Sequence, residues 1–514
     1  MIVLSIRLFF LQVYPNEKVT SKYQNHQTET ISDCKYMLLD TNGKDLMKYN
    51  KKYYLVIDKK PFSLNNYEET LEGLMALNFI MQNENQDFNF SDIMKSNGKT
   101  YFNISEETYN KINKLENIKG IYTYIYDEVD RKKAWATSTF LSDIPDEEKI
   151  IDGSLDSMIN RYIKNNLRPM KDFYLDDSAV YAISKLSMPD ENRNIKLTID
   201  KDLEDKIREV LASERFSHLD NIGVSLMESD TGKIRALVQK DESAANINLG
   251  IEGSGYEPGS VFKLITLGAA LDKGVITLND TFSCNGEICR GRKHGTISVE
   301  TAIEKSCNDV FAKIGNKIGY EDVISYAEKT GIFNKVLNLS GEGRNETTGM
   351  KPKIEDGMNN ISIGQCLTVS PIQILGATNA FVNDGVYVKP YIVESILDKD
   401  DNIVETINVD TEKVYSKTTS RLIQNSMRKV VTNGTGINAK VEGIDIGGKT
   451  GSATGAEDST HGWFSGYFKI NNKTYTMVVF VPNIQGKGDA GMDLGGGDTA
   501  APIFREIIKS LNEN

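Results

Sequence analysis

The sequence predicts an α+β fold, in which a C-terminal domain with an antiparallel sheet flanked by helices follows a mixed α+β domain. Two N-terminal runs, YYLVID (53–58) and IYTYIYD (121–127), alternate and are rich in aromatic and β-branched residues, as is typical of strands. The segment IGVSLMESDTGKIRALV (222–238) predicts a β-hairpin with Asp-Thr-Gly at its turn. The run from Val261 to Leu271 is apolar almost all round, which predicts a buried helix. A chain of 514 residues with 39% hydrophobic residues should form at least two domains with large cores.

The N-terminal part contains predicted elements but no motif of its own. ISEETYNKINKLE (104–116) predicts an exposed helix with Ser105 as its N-cap. The polar segment SMPDENRN (187–194) contains a proline and marks the expected end of this part. We therefore expect domains at 15–195 and 196–514.

Ser260 and Lys263, in YEPGSVFKLIT, are the first candidate catalytic residues. A serine hydroxyl is a weak nucleophile and needs an adjacent base. Residues three apart lie on one face of a helix, and Pro258-Gly259 indicates that the helix starts at Ser260. A buried lysine can lose its proton near neutral pH, and a helix N-terminus offers a free N–H group to a developing oxyanion. An isolated Ser-x-x-Lys is more often a helix cap with a solvated lysine, so the other motifs decide.

Ser306-Cys307-Asn308 lies between two helical patterns, VETAIEKS and DVFAKIGNKIG. A polar Ser-x-Asn at such a junction is ordinarily a cap. The residues on either side of Cys307 can also face one cleft, where a hydroxyl relays protons and an amide holds a peptide.

Lys-Thr-Gly occurs twice. Lys329-Thr330-Gly331 ends a helical pattern, VISYAEKTG, where lysine and a following glycine are ordinary helix-end residues. Lys449-Thr450-Gly451 follows Gly447-Gly448 and precedes a second strand-like run, HGWFSGYF. Small residues there let a substrate backbone lie against a strand edge, so the later copy is the candidate site.

These three motifs, in this order, resemble the signature of class B penicillin-binding proteins, which are peptidoglycan D,D-transpeptidases. The resemblance extends to NIKLTIDKDLEDKI (194–207), YEPGSVFK, GWFSGYF, the ending GGGDTAAPIFREI and, near the start, LLDTNGKDLMKYN (38–50). Cys366, in IGQCLTVSP, stands where the family usually has glycine. The family fold is like that of serine β-lactamases, with a non-catalytic pedestal domain before the transpeptidase domain.

The resemblance implies a serine-type D-Ala-D-Ala transpeptidase that crosslinks peptidoglycan stem peptides and is acylated by β-lactam antibiotics. Such an enzyme needs no cofactor for catalysis. Since no glycosyltransferase motif is present, the resemblance also implies a separate glycan-polymerising glycosyltransferase as partner. On matching positions the resemblance implies that Ser260 is the nucleophile, Lys263 is the base, and Ser306 relays protons with Lys449. The implied substrate contacts are Asn308, Thr450, Gly451 and Ser452.

Two other functions share these features. A serine β-lactamase or β-lactam sensor has the same three motifs, but no segment matches the deacylating glutamate of class A β-lactamases, and a hydrolase would not need the long N-terminal part. A non-enzymatic scaffold is disfavoured because all the motif residues are intact. The net charge of −12 argues against nucleic acid as a partner, and neither a Walker loop nor a GxGxxG after a strand is present.

Three of the five cysteines cluster with a histidine, as Cys284, Cys289, His294 and Cys307. Three thiols and an imidazole suit a tetrahedral structural zinc ion. The spacing is not that of a standard zinc finger, so two alternatives stay open. Cys284 and Cys289 could form a disulfide, which suits an extracytoplasmic protein, or the thiols could be unpaired.

The first 14 residues, MIVLSIRLFFLQVY, are mostly apolar but shorter than a membrane span of about 20 residues. A buried first strand or helix would explain them. RLFFLQV also resembles the outer end of the family's membrane anchor. We therefore expect residues 1–14 to be a partial anchor and the rest of the protein to lie outside the cytoplasm at the cell membrane.

Overall fold

A computed structural model of the chain describes residues 25–66, 68–95, 98–133, 135–289, 291–455, 458–487 and 494–513. The expected anchor at 1–14 lies outside the described residues. Within those ranges, no helix combines the length and the apolar character that crossing a membrane requires.

The N-terminal part is built from two small antiparallel sheets with short helices. Its elements are β1 (His26–Thr30), β2 (Leu38–Leu39), β3 (Tyr49–Asp58), α1 (Lys59–Phe62), α2 (Leu71–Glu84), α3 (Phe90–Lys95), β4 (Lys99–Ile104), α4 (Glu106–Ile112), β5 (Ile121–Val129), α5 (Thr137–Ser142), α6 (Leu155–Ile163), β6 (Met170–Leu175) and β7 (Tyr181–Ser187). The strand orders are β4-β3-β5 and β1-β6-β7. The runs predicted as strands are β3 and β5. The predicted cap of α4 is also present, because the Ser105 hydroxyl accepts from the backbone N–H of Thr108 at 3.2 Å.

The C-terminal part is an antiparallel sheet between two layers of helices. Its elements are β8 (Asn194–Leu197), α7 (Lys201–Ala212), β9 (Gly223–Glu228), β10 (Ile234–Gln239), α8 (Lys263–Asp272), β11 (Thr281–Cys284), β12 (Gly295–Ser298), α9 (Val299–Glu304), α10 (Asn308–Ile318), α11 (Tyr320–Lys329), α12 (Met358–Ile361), α13 (Pro371–Val382), β13 (Val386–Val388), β14 (Val393–Leu397), β15 (Ile403–Thr406), β16 (Thr411–Lys413), α14 (Lys417–Asn433), β17 (Ile446–Thr454), β18 (Thr460–Ile470), β19 (Lys473–Ile484) and α15 (Ala500–Asn512).

The central sheet of this part has the strand order β10-β9-β19-β18-β17, all antiparallel, and the predicted hairpin forms its β9 and β10. Successive residues of β18 point to opposite faces of the sheet and therefore pack in two different hydrophobic cores. Trp463 and Tyr467 pack on the face that carries α8 and α13, whereas Phe464 and Phe468 pack against α7 and α15. Strand β17 is at the sheet edge, and among the residues that the structure describes no strand pairs with its outer side.

Segments from the N-terminal part complete the larger C-terminal core. Strand β2 pairs in parallel with β8, and Phe140 and Ile159 are buried in the same cluster as Phe262. Arg344 also donates to the buried carboxylate of Asp156 at 2.9 Å. These segments, 34–47 and 129–163, thus pack with residues beyond the expected boundary, and the division at 195/196 stays a prediction.

Candidate active site

The chain turns sharply just before Ser260. Gly259 has φ +52°, a left-handed conformation that favours glycine, and a Cβ atom there would lie 2.3 Å from the backbone oxygen of Ser452. Gly259–Phe262 form a 3₁₀ turn, and the α-helix itself begins at Lys263. The predicted helix start at Ser260 is therefore tighter than an α-helical turn. It leaves Ser260 partly exposed and Lys263 fully buried.

The Lys263 ammonium group is enclosed by the Ser-x-Asn motif. Its Nζ donates to the Ser306 carbonyl at 2.8 Å, the Ser306 hydroxyl at 3.2 Å and Asn308 Oδ1 at 2.6 Å. The aromatic ring of Phe311 lies beneath it, 5.4 Å from Nζ to the ring centroid. Burial lowers the pKa of Lys263 from its ordinary 10.5 to about 7, and the nearby cysteine thiols only partly offset this. An amine of that pKa can exchange protons at neutral pH.

Ser306 lies between α9 and α10 in a left-handed backbone conformation, with φ +55°. Its hydroxyl is shared by two lysines, because Lys449 Nζ also donates to it, at 2.8 Å. Lys449 is fully buried on β17, and its Nζ donates to the Thr450 carbonyl at 2.9 Å. Burial, together with the charge of Lys263, holds the pKa of Lys449 well below the usual lysine value. The three motifs thus meet at one hydroxyl group.

The edge of β17 borders this site. Gly451 packs against the Ser260 turn so closely that a Cβ atom would lie 2.7 Å from the Pro258 carbonyl. The Ser452 hydroxyl accepts from the backbone N–H of Gly496 at 3.1 Å. An unpaired strand edge beside a nucleophile can bind an extended peptide by adding it to the sheet.

The other Lys-Thr-Gly copy has ordinary helix-end geometry. Thr330 is the C-cap of α11, its hydroxyl donates to backbone carbonyls of the last turn, and Gly331 has φ +82°. Lys329 is exposed, and its ammonium group lies over the ring of Tyr326.

The Cys/His cluster lies on the other side of Ser306-Cys307-Asn308. The described residues hold Cys284, Cys289, His294 and Cys307 with one ligand atom each, all within 4.8 Å of one another. The Sγ atoms of Cys284 and Cys289 are 3.8 Å apart, those of Cys289 and Cys307 are 3.6 Å apart, and Cys284 Sγ is 3.3 Å from His294 Nδ1. All five cysteines are free thiols. Zinc–sulfur bonds of about 2.3 Å at tetrahedral angles separate two sulfurs by about 3.8 Å, so the donor set and its spacing fit zinc.

Two residues beside the site were not singled out from the sequence. The Thr435 hydroxyl is 2.7 Å from the Thr450 hydroxyl, and the Asp309 carboxylate accepts three backbone N–H groups of the loop 286–289. Asp309 directly follows the Ser-x-Asn motif, and an acidic residue in the first turn of a helix has an ordinary role there. Thr435 lies in a TNGTG segment that resembles a plain loop.

Cys366 has φ +63°, a left-handed conformation that favours the glycine usual in the family at this position. Its backbone N–H donates to Glu257 Oε1 at 2.9 Å, close to the Ser260 turn.

The fold and this site together define the class of penicillin-recognising serine proteins. Residues 222–509 match the family model described as the penicillin-binding protein transpeptidase domain. The chain belongs to this family, and its identification as a class B penicillin-binding protein is confirmed.

Among curated relatives, the chain is 30% identical to stage V sporulation protein D of Bacillus subtilis over 352 residues, which are 62% of this chain and 54% of that protein. It is 26% identical to a peptidoglycan D,D-transpeptidase FtsI homolog of Mesostigma viride over 298 residues, which are 50% of this chain and 49% of the homolog. The chain thus spans about half the length of these relatives.

Solved structures share the fold over nearly the whole chain. A peptidoglycan synthetase from Bifidobacterium adolescentis matches with a TM-score of 0.64 and 20% identity, over 95% of this chain and 96% of that one. Penicillin-binding protein 3 from Mycobacterium tuberculosis, complexed with aztreonam, matches with a TM-score of 0.60 and 18% identity, over 94% and 96%. The predicted α+β fold class is confirmed.

Proposed function

We propose that this protein is a peptidoglycan D,D-transpeptidase that works through a serine acyl-enzyme and is acylated by β-lactams. The observation that carries the proposal is the meeting of Lys263 and Lys449 at the Ser306 hydroxyl, beside the Ser260 turn and a free strand edge. Relatives of this chain are named as peptidoglycan D,D-transpeptidases.

In the first half-reaction, Ser260 Oγ attacks the carbonyl carbon of the penultimate D-Ala of a donor stem peptide. Neutral Lys263 accepts the hydroxyl proton, since burial keeps its pKa near neutrality. The carbonyl oxygen becomes negatively charged and is stabilised by the backbone N–H groups of Ser260 and Ser452. The amide bond then breaks, the nitrogen of the terminal D-Ala takes a proton from the Ser306 hydroxyl, and Lys449 replaces that proton.

In the second half-reaction, the amine of an acceptor stem attacks the ester at Ser260. The amine loses a proton to the same relay, the new amide forms, and Ser260 recovers its hydroxyl proton. A β-lactam reacts as the donor does, except that its broken amide stays attached and blocks the acceptor.

Substrate binding falls to the surrounding groups. Asn308 holds the donor amide, and the edge of β17 at Gly451 pairs with the donor backbone. Thr450 and Ser452 bind the terminal carboxylate, near Lys449, whose positive charge attracts it when the amine is protonated.

The test uses a synthetic donor ending in D-Ala-D-Ala and an acceptor amine. We expect release of one D-Ala for each crosslinked product, inhibition by penicillin, and no product from the Ser260→Ala variant. Rapid hydrolysis of penicillin without any crosslinked product would reject the proposal in favour of a β-lactamase.

We propose in addition that Cys284, Cys289, His294 and Cys307 hold one structural zinc ion. Four protein ligands leave no open position, so zinc would order the loop around Cys289 and take no part in the reaction. Elemental analysis should find close to one zinc per chain in active protein. Active protein without metal, or with Cys284 and Cys289 as a disulfide, would reject this site.

The remaining proposals concern the setting of the enzyme. Residues 15–195 are a pedestal without chemistry, and 196–514 are the transpeptidase domain. Residues 1–14 belong to a single membrane anchor that keeps both domains outside the cytoplasm, near a separate glycan-polymerising glycosyltransferase. Support comes from the apolar character of 1–14 and from the family resemblance. Recovery of the native protein in the membrane fraction, with the catalytic domain accessible to external protease, is the expected result.

A further inference from the structure

Asp309 has a buried carboxylate that accepts three backbone N–H groups of one loop. Its Oδ2 accepts from the N–H of Gly286 at 2.8 Å, and its Oδ1 accepts from those of Ile288 at 2.7 Å and Cys289 at 3.0 Å. Asp309 is 2% exposed, so water does not compete with these bonds. The carboxylate therefore fixes the loop 286–289 against the start of α10.

The same loop fixes the orientation of the Asn308 amide. Asn308 Nδ2 donates to the carbonyl of Ile288 at 3.3 Å, which leaves Oδ1 facing Lys263 Nζ at 2.6 Å. An amide has a donor end and an acceptor end, and only the acceptor can receive a bond from a lysine. If the Ile288 carbonyl moved away, the Asn308 amide could rotate and turn its donor end toward Lys263.

We infer that Asp309 is a positioning residue for acylation, acting through Ile288 and Asn308 on Lys263. This inference rests on the proposed function, because it assigns Asp309 to the chemistry of the same site. It differs from the zinc proposal in the group that acts, because the Asp309 carboxylate is not one of the four proposed ligands and accepts backbone N–H groups of the loop. Asp309 also contacts two of those ligands, since its backbone N–H donates to Cys289 Sγ at 3.5 Å and its carboxylate is hydrogen-bonded to the Cys284 side chain.

The test is a double-mutant cycle of Asp309→Ala and Asn308→Ala. Two quantities are measured for each variant: the acylation rate constant at saturating fluorescent penicillin, and the penicillin concentration that gives half of that rate. A misplaced reacting group costs up to about a hundredfold in rate, so Asp309→Ala alone should lower the rate constant about ten- to hundredfold with little change in the half-maximal concentration. In the Asn308→Ala background the same change should cost less than about twofold, because the path through Asn308 is already lost.

A conservative variant and a matched control separate positioning from general stability. Asp309→Asn can keep its oxygen toward Ile288 and Cys289, and we expect it to retain at least about a third of the rate. Glu346→Ala is the control for Asp309→Ala, because Glu346 is a buried carboxylate that also accepts backbone N–H groups of one loop, those of Val336, Leu337 and Leu339. It should lower the melting temperature but change acylation less than about threefold.

Equal losses from Asp309→Ala in both backgrounds would overturn the inference. Recovery of the acylation rate of Asp309→Ala on addition of zinc would also overturn it, since the loss would then be due to the cysteine cluster. Failure of the proposed function would look different. The unchanged protein would not be acylated at Ser260, and both ideas would fall together.

Discussion

Replacing Lys449 tests which Lys-Thr-Gly copy serves the reaction. Its ammonium group is fully buried and donates to the Ser306 hydroxyl at 2.8 Å, where we place the proton relay. Removing one preorganised donor from such a site costs about 10²–10³ in rate, or about 2.7–4 kcal/mol of transition-state stabilisation. Lys449→Ala should therefore lower the second-order rate of acylation by at least about a hundredfold.

Two further variants isolate the cause. Lys449→Met fills similar space without an amine and should lose as much activity as Lys449→Ala, because the loss lies in the amine and not in packing. Lys329→Ala removes the lysine of the other copy, which is exposed at the end of α11. Surface substitutions usually change stability within about 0.5 kcal/mol, so acylation should change less than about threefold.

The assay is the time course of labelling by fluorescent penicillin, resolved on a gel, for the unchanged protein and the three variants. Melting temperatures measured on the same samples show whether each variant is folded. A large loss in Lys329→Ala with near-normal labelling in Lys449→Ala would refute the assignment of the site strand.

The base Lys263, the cysteine cluster and the turn before Ser260 can each be tested separately. The acylation rate should rise as pH increases through about 7, because Lys263 must be neutral to act as base, and should fall again at higher pH once Lys449 loses the proton that it passes to Ser306; a rate that does not rise through pH 7 would contradict the role of Lys263. Stability should rise with pH between about 7 and the ordinary lysine value of 10.5, where the unfolded chain binds more protons, and a stability that falls over this range would contradict the lowered pKa of Lys263. A chelator should lower the melting temperature of the unchanged protein by several degrees but hardly change that of Cys307→Ser, which already lacks one ligand. An equal fall in the melting temperature of both proteins would argue against zinc. Gly259→Ala should abolish labelling because its Cβ would collide with the Ser452 backbone. Gly274 is the control, because it also has a left-handed conformation, with φ +66°, but open space around it; Gly274→Ala should cost only about 1–2 kcal/mol of stability and leave acylation intact.

The catalytic motifs could be predicted from the sequence because the residues within each motif are only a few positions apart. Ser260 to Lys263, Ser306 to Asn308 and the helix-end context of Lys329 are all local patterns, and helix and strand periodicity predicted the elements around them. The hairpin of β9 and β10 and the cap at Ser105 were predicted for the same reason, because each depends on a few adjacent residues.

Contacts between distant segments could not be predicted in this way. Thr435 meets Thr450 only because α14 ends beside β17, and Asp309 reaches the loop 286–289 across about twenty residues of chain. Strand β2 has two residues, too few for a periodic signal, yet it pairs with β8 and brings the N-terminal part into the C-terminal core. The 3₁₀ turn at Ser260 lies against the backbone of Ser452, which belongs to a distant element, so no local pattern could indicate this contact.

The role of Ser260 as nucleophile can be tested by mapping the residue that penicillin modifies. The purified protein is incubated with fluorescent penicillin, digested, and the labelled peptide is sequenced by mass spectrometry. We expect a single covalent adduct on Ser260, absent from a folded Ser260→Ala variant. An adduct on another residue, or labelling that persists in Ser260→Ala, would contradict it.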